Sequence, residues 1–391
     1  MSLDDDARAE LKQLEAVNRL RVPRVVDGAQ GSRITVDGVA VLDLASNDYL
    51  SLANDNRIAR AAQAAIEEAG VGAGASRLIS GNHRRHVGLE RALADWMRVP
   101  GARDETAVRT FGSGYAANVG VLTALLGPGD VVFSDELDHA SIIDGCRLSR
   151  AEIVVYPHRD LGALEASLSS RTGGRKLVVS ESLFSMDGDL ADVAALAAVC
   201  KRHDAALMID EAHAIGARGP EGRGVAAEAG VIPDLVVGTC GKALGVYGAF
   251  VATTPAIAQL LWNRARTLVF STALPPMISS AIQCALEIVR GTEGDDRRRA
   301  LAERARLLRA RVRDLGGAPD SAIAPLVIGD DRHVMQLSGQ LLERRVFAQG
   351  IRFPTVPEGT ARLRMSVRSG LATEDIESAA IAINDALSQE T

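Results

Sequence analysis

"VVGTCGKALGVYG", residues 236–248, places a single lysine, Lys242, in a bed of small residues. Glycine stands at 238, 241, 245 and 248. Lysine is ordinarily a solvated surface residue. Here it follows an apolar run, "DLVVGT" (234–239), that reads as a buried strand. A strand that delivers an amine into a glycine-lined loop leaves room around that amine. What the room is for depends on what the other strands deliver.

Strand and helix signals alternate on both sides of this stretch. Short apolar runs lie at 107–111, 131–135, 152–156, 176–181, 205–210, 234–239 and 248–253. Helical spacing appears at 57–69, 85–98, 115–126, 140–149, 160–169, 189–203 and 255–265. This alternation predicts an α/β fold, a mostly parallel sheet with helices on both faces. Residues 5–22 read as a helix, and "ITVDGVAVLDLAS" (34–46) as a hairpin turning at Asp37-Gly38. Beyond about 290 a charged helix (296–315) leads to strand-like runs, a helix at 334–345 and a last helix at 373–388, the pattern of a smaller α+β domain. The expected division is 1–50 as an N-terminal helix and hairpin segment, 51–290 as the large domain, and 291–391 as the small one.

Composition excludes several classes. The 391-residue chain is 47% hydrophobic and 24% charged, with net charge −6, which argues against nucleic-acid binding by bulk electrostatics. Its most basic stretch, 295–314, interleaves acids and apolar residues as a solvated amphipathic helix does. Cys146, Cys200, Cys240 and Cys284 form no CxxC motif, so no metal site is expected and reduced, cytoplasmic thiols are. No apolar stretch reaches the roughly 18 residues of a membrane span. The acidic start is unlike a signal peptide.

In open α/β sheets ligands bind beyond the carboxyl ends of the strands. "VRTFGSGYAANVG" (108–120) turns there through Gly112-Ser113-Gly114 into a helix, a place where free N–H groups can hold an anion. A plain strand–helix turn would look the same. Asp210 ends "AALMID", with His213 three residues on. The bland reading makes Asp210 a helix cap and His213 a surface residue. His139 opens a helix after another strand, and Ser182, Ser185 and Asp187 follow a fourth. Nucleotide motifs fail: Ala243 follows the lysine where a P-loop needs Ser or Thr, and Arg77 replaces the last glycine of a GxGxxG at 72–77. One crevice could collect the lysine, the acid, the histidines and the anion turn. An anionic ring cofactor with a cationic nitrogen would use them all, and pyridoxal 5'-phosphate (PLP) fits.

On these residues the chain resembles the α-oxoamine synthases, fold-type I PLP enzymes that join an amino acid to an acyl-CoA. The resemblance runs from about residue 10 to the C-terminus. It rests on "SNDYL" (46–50), "FGSGYAAN" (111–118), "DELDHAS" (135–141), "ESLFSMDGD" (181–189), "DEAHAIG" (210–216), "GTCGKALG" (238–245), "STALPP" (271–276) and "PTVPEGTARLRMS" (354–366). It implies a fold-type I PLP-dependent transferase and the following roles. Lys242 is the Schiff-base lysine, and Asp210 pairs with the pyridinium nitrogen. His213 contacts the ring hydroxyl, His139 stacks on the ring and can reach substrate, and Ser185 lies near the ring oxygen. Gly114 and Tyr115 contribute backbone contacts and Thr239 a phosphate hydroxyl. Ser271 and Thr272 reach the phosphate from a partner subunit, implying a homodimer. Arg364 clamps the amino-acid carboxylate with help from Asn47, Arg362 being the alternative on the same strand face. Arg21 and Thr355 match acyl-substrate positions, although "NRLRVPR" also offers Arg19 and Arg24.

Through "PTVPEGTARLR" and "SMDGD" the resemblance implies L-alanine with pimeloyl-CoA or a pimeloyl carrier protein as substrates, on the route to biotin. Glycine with acetyl-CoA is the alternative within the family. A PLP-binding protein without synthase activity and a nucleotide-binding α/β protein are the readings from other classes.

Overall fold

A computed structural model describes residues 2–98 and 105–389. The chain divides into two compact units, one of residues 50–185 and 190–298, the other of 1–49, 186–189 and 299–391. The N-terminal helix and hairpin thus group with the C-terminal part.

The first unit is built on a seven-stranded sheet. Its strands are β1 (Ala107–Phe111), β2 (Val131–Asp135), β3 (Glu152–Tyr156), β4 (Lys176–Glu181), β5 (Ala206–Asp210), β6 (Leu235–Thr239) and β7 (Ala249–Thr253). Their spatial order is β1-β7-β6-β5-β4-β2-β3. Neighbours from β6 to β3 run parallel, and β7 runs antiparallel to both β6 and β1. Strands β2, β6 and β7 are buried at every residue. Continuous Val-rich runs suit this position because helices cover both faces. Phe111, Val132, Val179, Met208, Val237 and Val251 anchor the core against the helices Gly114–Leu125 and Ala140–Ser149. Those helices pack closely: a Cβ at Gly145 would come within 2.6 Å of Leu122. Only β3, at the edge, is largely exposed.

Side-chain caps place the helix starts. The stretch expected at 189–203 begins as a helix only at Val193, because the Asp192 side chain accepts from Ala195 N. A helix over Pro276–Arg290, absent from the sequence reading, packs on the helices Asn56–Ala69 and Arg84–Met97.

The second unit holds two small sheets. Arg33–Val36 and Val39–Asp43 pair as the expected hairpin. Asp37 and Gly38 both adopt positive φ, 49° and 81°, as the two-residue turn demands. Ile323–Gly329, Ala361–Ser366 and Gln349–Ile351 form an antiparallel three-stranded sheet with Ala361–Ser366 in the centre, buried at all six residues. The N-terminal helix is Leu3–Ala16, shorter at its far end than expected, and ends before Asn18, which takes φ 57°. The charged helix spans Thr292–Arg311 and buries Leu301, Ala305 and Leu308. No helix among the described residues is long and apolar enough to cross a membrane.

Candidate active site

The lysine loop joins β6 to its antiparallel neighbour β7. Cys240 N donates to Gly248 O (2.8 Å), Val246 N to Cys240 O (2.9 Å) and Gly245 N to Lys242 O (2.8 Å). Thr239 Oγ1 donates to Gly248 O (3.1 Å) and accepts from Gly241 N (3.2 Å). Gly245 has φ 69°, and a Cβ there would meet Ala53 N at 2.4 Å, so no other residue fits without moving the loop. Lys242 is half-buried, with Nζ 2.7 Å from His213 Nε2.

His213 is buried, not a surface residue, and Asp210, also buried, does not cap a helix. Asp210 Oδ1 accepts from Ala212 N (2.8 Å) and Oδ2 from Asn118 Nδ2 (2.7 Å). Asn118 Nδ2 also donates to Ser141 Oγ (2.9 Å), which lies 2.7 Å from His139 Nδ1. A polar chain therefore joins the acid at the end of β5 to the histidine beyond β2. His139 is the helix N-cap of its bland reading as well, accepting from Ser141 N on Nδ1. His139 remains accessible to solvent. Desolvation by its surroundings holds the imidazole below its ordinary range, with Asp210 pulling up and Lys242 pushing down.

The Gly112–Gly114 turn follows β1. Ser113 caps the helix Gly114–Leu125, its Oγ accepting from Ala116 N (3.1 Å) and its carbonyl from Ala117 N (3.0 Å). The N–H groups of Gly114 and Tyr115 belong to a first turn with no upstream helical carbonyl. Neither Gly112 nor Gly114 has positive φ, and a Cβ on either would meet nothing within 4 Å. The protein's own packing does not require glycine there. The space they leave suits an anion resting on backbone N–H groups. Tyr115 is half-exposed and its hydroxyl bonds Asp144. Ser271 and Thr272 are exposed and line a small cavity together with Gly112, Arg77 and His86. Amine, acid, N-terminal turn and hydroxyls thus match what PLP requires.

Buried acids back the site. Asp138 accepts from Ser134 Oγ (2.7 Å), Asp135 N (3.0 Å) and Glu181 N (3.1 Å), tying β2 to β4 just before His139. Burial pushes its carboxyl well above the usual range, against the Ser134 bond. Glu181 Oε2 accepts from Ser185 N (3.1 Å), which holds buried Ser185 at the end of β4. Glu211 accepts from Ser182 Oγ (2.5 Å), Val225 N (3.0 Å) and Ala226 N (2.7 Å). Asn118, Ser141 and Glu181 were not singled out in the sequence. The signal available for Asn118 was its spacing of four from Gly114, one helical turn inward.

In the second unit Arg362 and Arg364 are both buried. Arg362 NH1 donates to Asp187 Oδ1 (2.5 Å) and Met186 O (3.2 Å), so its charge is met by a carboxylate. Arg364 donates to Ser366 Oγ (2.9 Å), Asn47 Oδ1 (3.1 Å) and Tyr49 OH (3.5 Å). Asn47 is thus brought to Arg364. Arg21 NH2 donates to Thr355 Oγ1 (3.2 Å), and both line a cavity of about 660 Å³. Arg19 instead pairs with Asp331 and Glu358, and Arg24 with Asp37.

Among the described residues no group of three or more His, Cys, Asp or Glu could hold a metal ion. Burial pushes the thiols of Cys146, Cys200 and Cys240 to about 12, which leaves them unreactive.

The class I and II aminotransferase family matches residues 39–383. The chain is 46% identical over 377 residues to the 8-amino-7-oxononanoate synthase of Pelobacter propionicus, covering 95% of each. It is 46% identical over 380 residues to that of Geobacter sulfurreducens, covering 96% of each. Among solved structures, serine palmitoyltransferase of S. paucimobilis with bound PLP and myriocin superposes with a TM-score of 0.91. That match has 29% identity and covers 98% of this chain and 97% of the other.

Proposed function

The chain belongs to the class I and II aminotransferase family and within it to the α-oxoamine synthases, and from that premise we propose that it condenses L-alanine with a pimeloyl thioester to 8-amino-7-oxononanoate, releasing CO2 and a thiol, in biotin synthesis. The observation that carries this reading is an amine, an acid and a helix N-terminus at the strand ends of one sheet, in a chain so similar to 8-amino-7-oxononanoate synthases.

PLP, when bound, supplies an electron sink for the charge that develops on the amino-acid α-carbon. Lys242 Nζ would hold the cofactor, and its amine is placed to act as the base for the amino-acid α-proton. His213, 2.7 Å away, orients that amine, and with Ser185 it would meet the cofactor's ring oxygen. Asp210, aligned by Asn118, would pair with the cofactor's ring nitrogen and favour its protonated form. His139 would lie against the cofactor and could donate to the thioester oxygen, where negative charge grows. The Gly114 and Tyr115 N–H groups would hold the phosphate with the hydroxyls of Thr239, Ser271 and Thr272. We assign the last two to a partner subunit, hence a homodimer, and the enzyme to the cytoplasm. Arg364 with Asn47 binds the alanine carboxylate, and Arg21 with Thr355 the acyl donor.

Thiol release with alanine and pimeloyl-CoA, measured beside glycine and acetyl-CoA, tests the reading. Turnover with the first pair alone is expected. Preference for the second pair makes the chain a 2-amino-3-ketobutyrate synthase, and protein that takes up no PLP overturns both.

A further inference from the structure

Glu181 ends β4 and is the register partner of Asp210 at the end of β5. Partners on adjacent strands point to the same face about 4.8 Å apart. Glu181 is buried, and its backbone N–H is held by Asp138. One carboxyl oxygen, Oε2, accepts from Ser185 N. The other, Oε1, is sealed from solvent and has no hydrogen-bond partner. A bare anionic oxygen in that position is costly, and a neutral acid far less so. Asp138, Asp210 and Lys242 are the titratable groups that face it; charge on either acid disfavours its ionisation, and charge on the lysine favours it. Buried carboxyls this close do not all ionise. Asp210 accepts on both oxygens from N–H donors, the posture of the anion.

We propose that Glu181 is a positioning residue carried as the neutral acid with its proton on Oε1, fixing Ser185 through the backbone while leaving Asp210 as the anion of the site. A second anion beside Asp210 would hold a proton on the nitrogen of Lys242 and oppose its release as a base. The inference rests on the proposed PLP chemistry for its purpose, but the proton itself is detectable without cofactor.

Infrared spectra of wild type and Glu181→Gln, each PLP-free and PLP-loaded at neutral pH, test it. A protonated-carboxyl stretch present in wild type and lost in the variant is expected in both forms. In loaded protein, Glu181→Gln is expected to keep kcat within about threefold and the absorbance–pH midpoint of the lysine linkage unmoved. Glu181→Met, neutral but unable to accept from Ser185, is expected to lose kcat about tenfold or more at an unchanged melting temperature. Unchanged carboxyl bands between wild type and Glu181→Gln overturn the proposal, as does a downward midpoint shift of about one pH unit in Glu181→Gln, the mark of a lost anion. A fully active Glu181→Met overturns the positioning role. Failure to take up PLP removes the proposed function, while the PLP-free spectra still decide the protonation.

Discussion

In the seven-stranded sheet the polar groups of the candidate site lie at or beyond the strand ends: Asp210 and Glu181 at the last strand residue, Lys242 and His139 in the connections that follow. In the three-stranded sheet the charges sit inside a strand, Arg362 and Arg364 on Ala361–Ser366. The inner strands of the large sheet have helices on both faces, so a charge within them would have no water and few partners; Arg109, mid-strand in the edge strand β1, is only half-buried and pairs with Glu90. The sheet's strand ends open onto connections with spare N–H groups. The small sheet tolerates internal charge because each guanidinium has oxygens built around it, a carboxylate and carbonyls for one, hydroxyls and an amide for the other. Polar groups at strand ends are therefore positioned by topology, and those within strands by individual partners.

The strongest way to break this contrast is at Lys242. Lys242→Ala is expected to reduce turnover by about 10³-fold or more and to abolish the yellow colour that borohydride bleaches. A coloured, active variant would remove the strand-end site altogether.

Glu211 sharpens it through pH. Burial pushes its carboxyl up to about 7 from 4.5, against bonds from Ser182, Ala226 and Val225. The folded chain thus keeps a proton that the unfolded chain gives up. Its contribution to stability is complete below about pH 4.5 and is lost as pH rises to about 7, a change of about 3 kcal/mol. Melting temperatures of wild type and Glu211→Gln between pH 4.5 and 8 are expected to differ in slope, the wild type falling more steeply. Parallel curves would show that this strand end does not bury a proton.

The two arginines test the other side. Arg364→Ala is expected to raise the KM for alanine about 10- to 100-fold with little loss of stability. Arg362→Ala strands Asp187 and is expected to cost about 2 kcal/mol of stability, read as a lower melting temperature, with KM nearly unchanged. An exchange of these phenotypes would reassign the clamp. The smallest effect is expected at Asn118: alanine there removes one donor from Asp210 and should weaken PLP binding about tenfold, measured by cofactor titration.

These contrasts also explain what could be read from sequence. Lys242, Asp210 and His139 were legible because a polar residue after an apolar run marks a strand end. Alternation could not separate Arg362 from Arg364, since both fall on one face and only Asp187, 175 residues away, distinguishes them. Arg21 is likewise ambiguous in sequence, and the ion pairs of Arg19 and Arg24 set it apart. Asn118 and Glu181 were hidden because their meaning lies in a neighbour across the sheet. The helix Pro276–Arg290 escaped because it follows paired prolines that read as loop.

The lysine loop has one further consequence, for the order of assembly. Strands β6 and β7 are antiparallel neighbours joined by nine residues, whereas β2, β4 and β5 pair only through long crossovers. Closing a loop of about ten residues takes on the order of 10–100 ns, and distant parallel pairings come far later. The hairpin bearing the amine can form as a local event. Asp210, Asn118 and His139 arrive only when the crossovers are complete. Until then the chain carries an amine with no site around it, so cofactor capture reports that the whole sheet has closed.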